Sequence, residues 1–287
     1  MIQFIKFKYS RGMYMDYINT ITKDFLMQDV SQFLNLSIVE LFRLFETIYA
    51  ESEKEPETFI ENFLANRKID KTLKRIQMFH LSRRLNGTDL HDNNNLEQLL
   101  LNESPLSLFL RKYGVTFAKV ENHIGLYYKG VFQPLDDESK YENGNIWYIR
   151  GRLGYDQNFD YCVNGFAFRE QLEKNDYFSA LSNGPELVQN IACLFNIEEM
   201  LTDYCNNSQY YCAGYIIPLS EVVFDLPIPP KTNKDKTVGL IKQSLVRLYD
   251  SWRKCDSFGN LVLRLSDSAM IKPEWFICSE KIADFVE

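Results

Sequence analysis

The 287-residue chain is 45% hydrophobic and 25% charged, which is typical of a folded protein with a sizeable core and excludes a disordered chain. The net charge of −7 and the pI of about 5.2 argue against a protein that coats nucleic acid. The six cysteines form no C-x-x-C pair and no histidine lies at metal-ligand spacing from them, which predicts buried free thiols and excludes a zinc site. With no apolar run of ~18 residues and no cleavable signal peptide, we expect a cytoplasmic protein without a membrane partner.

The first part of the chain, residues 14–66, is predicted to be helical. In SIVELFRLFETIYA the apolar residues recur at three- and four-residue steps, and Ser37 with Glu40 forms a helix-start pattern. A second helix is predicted from Pro56 in PETFIENFLANRK. These elements suggest an N-terminal helical segment, 1–72, before a larger α+β domain, 73–287.

Short strands and helices are predicted to alternate through the rest of the chain. The predicted strands are IQMFHLSRR, IGLYYKGVFQPL, GNIWYIRGRL, DYCVNGFAFREQL, QYYCAGYIIPLSEVVFDLPIPP, NLVLRLS and EWFICSEKIADFV. The predicted helices are SPLSLFLRKYGVTF, from Pro105 to about Gly114, then ELVQNIACLFNIEEMLTDYC and TVGLIKQSLVRLYDSWRK. The fold class expected from this order is α+β.

Two groups of basic residues are candidates for binding anions. The first is a run of cations, namely Arg67, Lys68, Lys71, Lys74, Arg75, Arg83 and Arg84. The second is the alternation of Tyr148, Arg150 and Arg152, which would share one face of a strand and could form a phosphate-binding edge. For both groups the alternative is an ordinary solvated surface.

Three histidines are present, and His91 and His123 occur in contexts that indicate no function. His80 lies in a predicted strand with Ser82 on the same face, a pair of polar groups that could hold the hydroxyls and amide of a nucleotide. The alternative is a hydrogen-bonded core histidine.

Glu186 follows the turn Asn183-Gly184-Pro185 and precedes an apolar run. One interpretation is a helix-start glutamate favoured by the helix dipole, with Pro185 as the first helical residue. The other is a carboxylate held at the rim of a cleft.

The order of these motifs resembles the ADP-ribosyltransferase fold, in its diphtheria-toxin and PARP branch, over residues 80–282, about 70% of the chain. HLSR at 80–83 resembles the first motif, and NGFAF at 164–168, followed by Tyr177, resembles the aromatic strand. SNGPE at 182–186 resembles the segment that delivers the catalytic glutamate. AGYIIPLSEVV and IKPEWFICSEKI resemble the paired late strands of a split β-sheet.

The resemblance implies transfer of ADP-ribose from NAD to a macromolecular acceptor, DNA, RNA or protein, with release of nicotinamide. Glu186 and His80 would be the catalytic residues, and Glu186 would stabilise the positive charge that develops on the ribose. His80 and Ser82 would hold NAD, and Arg83 would bind its diphosphate. Phe168 or Tyr177 would stack on the nicotinamide ring.

The sequence departs from the family pattern at two positions. A phenylalanine stands where the family has its stacking tyrosine, and Gly184, two residues before Glu186, occupies a position that is Glu or Gln in members that modify arginine. The glycine at position 184 disfavours an arginine acceptor.

The resemblance also implies a biological context, because bacterial proteins of this kind are often toxins or effectors of phage–host conflict, with a protein inhibitor or antitoxin as partner. Two alternatives stay open. One is NAD hydrolysis without an acceptor, and the other is a non-enzymatic binding module or inhibitor that docks on a larger complex.

Overall fold

The computed structural model describes residues 15–52, 55–89, 91, 93–136, 146–155, 159–255 and 259–283. Within these ranges the chain forms ten α-helices and nine β-strands. The helices are α1 Lys23–Leu34, α2 Ile38–Ser52, α3 Pro56–Asn66, α4 Leu96–Leu101, α5 Pro105–Lys112, α6 Ile146–Leu153, α7 Asp176–Ser182, α8 Glu186–Leu194, α9 Glu198–Asn206 and α10 Asn233–Trp252. The strands are β1 Arg75–Leu85, β2 Val115–Val120, β3 His123–Tyr128, β4 Val131–Gln133, β5 Asn164–Phe166, β6 Ser208–Pro218, β7 Val223–Phe224, β8 Val262–Arg264 and β9 Phe276–Lys281. The α+β class is confirmed.

Two sheets organise the strands. The larger has the order β7-β8-β5-β1-β6-β9, and its β1 and β5 are antiparallel with Phe79 opposite Phe166. The smaller is an antiparallel meander, β2-β3-β4, in which Val115 lies opposite Tyr128. The split sheet of an ADP-ribosyltransferase stays a prediction.

The contacts divide the described residues into two compact units that do not follow chain order. Unit 1 comprises the described parts of Met1–Phe79, Phe166–Asn175 and Tyr215–Leu263, and unit 2 those of His80–Gly165, Asp176–Gly214 and Arg264–Glu287. The boundary expected between residues 72 and 73 stays a prediction.

Unit 1 is built on its helices. Helix α10 packs against α1 and α3, and the ring of Phe45 on α2 lies 5.9 Å from that of Tyr249 on α10. The predicted start of α2 is confirmed, because the Glu40 N–H donates to Ser37 Oγ at 3.2 Å while the Ser37 N–H donates to the Glu40 carboxylate.

The core of unit 2 lies between the β2-β3-β4 meander and helices α4, α5, α6, α8 and α9. It contains eighteen buried side chains, among them Phe109, Leu126, Ile149 and Ile191. Helix α6 packs against α8 in this core, and this pair positions the polar side chains described below.

One strand prediction was wrong. The stretch GNIWYIRGRL was expected to be a strand, but Ile146–Leu153 is helix α6. Its buried residues Ile146, Ile149 and Leu153 follow steps of three and four, which suit a helix packed on a core and not a strand. Tyr148 and Arg152 therefore share one helix face, and Arg150 points elsewhere.

The cysteine prediction was wrong in part. All six cysteines are free thiols, but only Cys162 and Cys212 are buried, whereas Cys193, Cys255 and Cys278 are exposed.

In the part of the chain that the structure describes, no helix is both long and apolar enough to cross a membrane.

Candidate functional site

Glu186 is the first residue of α8, in unit 2. The turn before it depends on Gly184, which is buried with φ +113°, a conformation that side-chain-bearing residues rarely adopt. The side-chain amide of Gln189 donates to the Gly184 carbonyl at 2.7 Å and fixes this turn. Pro185 precedes the helix and is not its first residue as expected. Glu186 is thus a helix-start residue on a rigid turn.

The carboxylate of Glu186 has a specific partner. The Tyr148 hydroxyl on α6 donates to Glu186 Oε2 at 2.5 Å. Burial raises the pKa of Tyr148 above its usual range, Arg152 opposes this, and the bond to Glu186 adds to it. Tyr148 therefore stays protonated at physiological pH and acts as a donor that orients the carboxylate.

Arg152 continues the polar contacts from Tyr148. Its guanidinium carbon lies 5.6 Å from the centre of the Tyr148 ring, and its Nη1 donates to Asp160 Oδ2 at 2.7 Å. Arg264 donates to the other oxygen of Asp160 at 2.8 Å. We call Glu186, Tyr148, Arg152, Asp160 and Arg264 the Glu186 cluster.

His80 is half-buried on β1, also in unit 2. Its Nδ1 lies 2.6 Å from the carbonyl oxygen of Asn164, which only accepts, so Nδ1 carries the hydrogen. Burial lowers the pKa of His80 to about 4, Arg84 adds to this and the Asn164 carbonyl opposes it. At neutral pH the imidazole is uncharged and its Nε2 is an acceptor.

Along β1 the side chains alternate, and this separates the predicted ligands. His80, Ser82 and Arg84 are half-buried, whereas Leu81 and Arg83 are buried. The Arg84 Nε donates to the Ser82 hydroxyl at 2.9 Å, so these two residues lie side by side. Arg84, and not Arg83, is the arginine that shares the face of His80.

Arg83 is tied into the interior of unit 2. Its guanidinium donates to the Ser208 hydroxyl and to the carbonyls of Ser182 and Cys205, each at 2.8 Å. The Tyr204 hydroxyl donates to the Arg83 carbonyl at 2.9 Å. These bonds give Arg83 a structural role and do not place it at a diphosphate beside His80.

The two aromatic candidates differ in accessibility. Tyr177 on α7 belongs to unit 2 and its side chain is 53% exposed. Phe168 belongs to unit 1, is buried, and is covered by the guanidinium of Arg247 at 5.2 Å from the ring centre. The ring of Phe168 is thus packed against a cation, whereas about half of the Tyr177 surface is exposed.

The two other histidines make local contacts, and the basic run is split between the units. His91 is exposed and bonded to Asp89 at 2.9 Å, and His123 packs on Tyr155 with ring centres 4.1 Å apart. The predicted basic run is divided, since Lys68, Lys71 and Lys74 are exposed in unit 1 while Arg83 is buried in unit 2.

Sequence reasoning singled out Tyr148 and Arg152 but assigned them the wrong structure, so it missed their link to Glu186. The signal that could have found it is the spacing of four residues between them, which suits one face of a helix.

Among the described residues no group of three or more His, Cys, Asp or Glu could hold a metal ion.

Comparisons with known proteins find no relative of this chain: no family model matches it, and no curated protein and no solved structure is similar to it.

Proposed function

We propose that the chain transfers ADP-ribose from NAD to a macromolecular acceptor in the cytoplasm, with Glu186 as the catalytic carboxylate. The observation that carries the proposal is the Tyr148–Glu186 hydrogen bond of 2.5 Å, which fixes a carboxylate on a rigid turn in the same unit as His80. The order of His80, Tyr177 and Glu186 along the chain, which resembles that of the family, supports it further.

In this reaction the bond between nicotinamide and C1′ of the ribose breaks, and its electron pair leaves with nicotinamide. The positive charge that develops on the ribose is stabilised by the Glu186 carboxylate. A nucleophile of the acceptor then bonds to C1′ and loses its proton to solvent. Tyr148 orients the carboxylate throughout and takes up no charge.

Three side chains would hold the substrate. His80 Nε2 accepts a hydrogen bond from a ribose hydroxyl or from the nicotinamide amide. The Ser82 hydroxyl accepts from Arg84 and has its own hydrogen to donate. The exposed ring of Tyr177 stacks on nicotinamide. Six free thiols fit a reducing compartment.

The test compares nicotinamide release from NAD by the wild type and by Glu186→Gln, with DNA, RNA and protein supplied as acceptors and analysed by mass. Glutamine keeps the shape and the bond from Tyr148 but removes the charge, so we expect release to fall by about 100-fold or more. Asp203→Asn is the matched control, because Asp203 also accepts a tyrosine hydroxyl, that of Tyr113 at 2.9 Å. Equal loss in both variants would contradict a catalytic role for Glu186.

A second candidate, a non-enzymatic binding module, is favoured by exposed apolar side chains of unit 2. Trp147 is 61% exposed and Val131 is 64% exposed, and Phe132 beside Val131 is also exposed. If the wild type neither binds NAD nor releases nicotinamide with any acceptor, the transferase proposal falls. Loss of a co-purifying protein on Trp147→Ala would then support the binding module.

A further inference from the structure

Helix α6 carries an exposed tryptophan next to the tyrosine that orients Glu186. Trp147 is 61% exposed, whereas Ile146, Ile149 and Leu153 of the same helix are buried. Within α6, all of which the structure describes, Trp147 is the one exposed apolar side chain. A single exposed apolar residue indicates no function by itself, but two neighbours on α6 give this ring the form of a stacking site.

The first neighbour is Arg150, three residues after Trp147. Its guanidinium carbon lies 5.4 Å from the centre of the Trp147 ring, a cation–π contact. The Arg150 side chain is only 13% exposed, and its Nη2 lies 3.8 Å from Oδ1 of Asp136. The guanidinium is thus held against the indole and fixes its orientation, while much of the ring stays accessible to a ligand.

The second neighbour is Gly151, four residues after Trp147 and therefore on the same side of the helix. A Cβ at Gly151 would meet no atom of the described residues within 4 Å, the backbone of its own helix and its chain neighbours aside. Packing therefore does not require glycine there, and glycine weakens the interior of a helix relative to alanine. Its effect is to leave open the space beside the Trp147 ring, which a larger side chain at position 151 would fill.

We propose that Trp147, Arg150 and Gly151 form a platform on which a base of a single-stranded nucleic acid stacks. The indole offers a flat apolar surface to a base, and the guanidinium fixes that surface in one orientation. The space beside Gly151 admits a group as thin as a base. We call these three residues the Trp147 platform.

The surroundings of the platform favour a nucleic acid over a protein partner. The other residues of α6 that are not buried are Tyr148, Arg150, Gly151 and Arg152. Three of them carry hydrogen-bonding groups and the fourth has no side chain, whereas the core of a protein interface is apolar. The net charge of −7 argues against binding through many phosphate contacts. Stacking does not depend on charge, and it requires the accessible bases of a single strand.

The role of the bound strand as acceptor rests on the proposed function, whereas stacking does not. Trp147 and Tyr148 are consecutive, so their side chains leave α6 about 100° apart, and Tyr148 donates to Glu186 Oε2 at 2.5 Å. A strand on the platform is thereby held by the helix that positions the catalytic carboxylate. A nucleophilic group of the strand then bonds to C1′ and loses its proton to solvent, while nicotinamide leaves with the electron pair of the broken bond.

The experiment measures the fluorescence anisotropy of a short labelled single-stranded oligonucleotide, RNA or DNA, titrated with the full chain. We expect Trp147→Ala to weaken binding by about 5- to 100-fold, the range that loss of one stacked base gives. Trp147→Phe keeps a stacking ring and should lose less. The loss in Trp147→Ala should be the same at low and high salt, because stacking releases no counterions. A duplex of the same sequence should bind at least about tenfold more weakly than the single strand.

Two further variants separate stacking from folding. Trp275→Ala is the matched control, because Trp275 is another tryptophan of unit 2 with a cation over its ring, Lys272 Nζ at 5.3 Å; it should leave binding unchanged. Gly151→Leu keeps Trp147 but fills the space beside its ring, and should weaken binding about as much as Trp147→Ala. Leucine is a good helix former, and thermal unfolding checks that each variant is folded.

Several outcomes would overturn the proposal. They are absence of single-strand binding by the wild type, binding that is unchanged in Trp147→Ala, equal weakening by Trp275→Ala, and a duplex bound as tightly as the single strand. Absence of oligonucleotide binding together with Trp147-dependent modification of a protein acceptor would replace the nucleic acid by a protein.

The failure of the platform and that of the transferase are distinguishable. Single-strand binding that depends on Trp147, without nicotinamide release from NAD, would leave the platform standing and remove the transferase. Nicotinamide release that needs no nucleic acid and is insensitive to Trp147→Ala, in a chain that binds no oligonucleotide, would do the reverse.

Discussion

The hydroxyl of Tyr148 donates to Oε2 of Glu186 at 2.5 Å, so the middle of one helix fixes the first side chain of another. Helices α6 and α8 pack against each other in the core of unit 2. The orientation of the carboxylate is therefore as rigid as this helix pair.

Tyr148→Phe should lower the rate of nicotinamide release by about 10- to 100-fold, because a hydrogen bond to a charged group contributes about 1.5–3 kcal/mol. Affinity for NAD should change little, since Tyr148 orients the catalytic group and does not hold the substrate. Steady-state kinetics would separate kcat from KM. Tyr113→Phe removes a similar tyrosine–carboxylate bond, to Asp203, and should leave kcat unchanged.

His80 should make stability depend on pH. Its pKa is about 4 in the folded protein and about 6.5 in an unfolded chain, so between these values the unfolded chain binds more protons. Stability should therefore fall as the pH falls from 6.5 to 4, by at most about 3 kcal/mol from this residue. Urea unfolding at pH 7, 5.5 and 4 should show a shallower loss in His80→Gln than in the wild type. An equal loss of stability with falling pH in His80→Gln and the wild type would contradict the prediction. His91→Gln, which removes an exposed histidine, is the control and should behave like the wild type.

Arg83 should matter for stability more than for NAD binding. Arg83→Lys keeps the charge but cannot reach all of its three acceptors, Ser208, Ser182 and Cys205, and should cost about 2–4 kcal/mol. Arg75→Lys, on the same strand with an exposed guanidinium, should cost less than about 0.5 kcal/mol. Urea denaturation measures both. A fully stable Arg83→Lys with raised KM for NAD would instead restore Arg83 as a substrate ligand.

Alanine substitutions at two glycines with positive φ would distinguish the cost of backbone strain from the cost of a steric clash. Gly154 has φ +79°, and a Cβ there would lie 2.3 Å from the Tyr161 hydroxyl oxygen, which donates to the Leu153 carbonyl. Gly87 has φ +84° with nothing within 4 Å of such a Cβ. Gly87→Ala should destabilise by about 1 kcal/mol, from the backbone alone, and Gly154→Ala by about 3 kcal/mol or more. Equal unfolding free energies would show that the Tyr161 ring moves aside freely.

The sequence determined the elements whose signals are local. The pair Ser37 and Glu40 starts α2, Pro56 starts α3, and α5 begins at Pro105 and ends just before Gly114. A cap or a proline acts on the backbone within one turn, so its effect is visible in a few consecutive residues. The period-two alternation of β1 likewise placed His80 and Ser82 on one face.

The tertiary structure decided which polar residues act together. In GNIWYIRGRL the alternation suggested a strand, but burial of Ile146, Ile149 and Leu153 in the core of unit 2 makes it a helix. That choice brings Tyr148 to Glu186, 38 residues away, and Arg152 to Asp160. The tertiary structure also buries Arg83, whose guanidinium donates to two carbonyls more than 90 residues distant along the chain. The physical reason is that a short apolar stretch fits either period, and only the surface it packs against selects one.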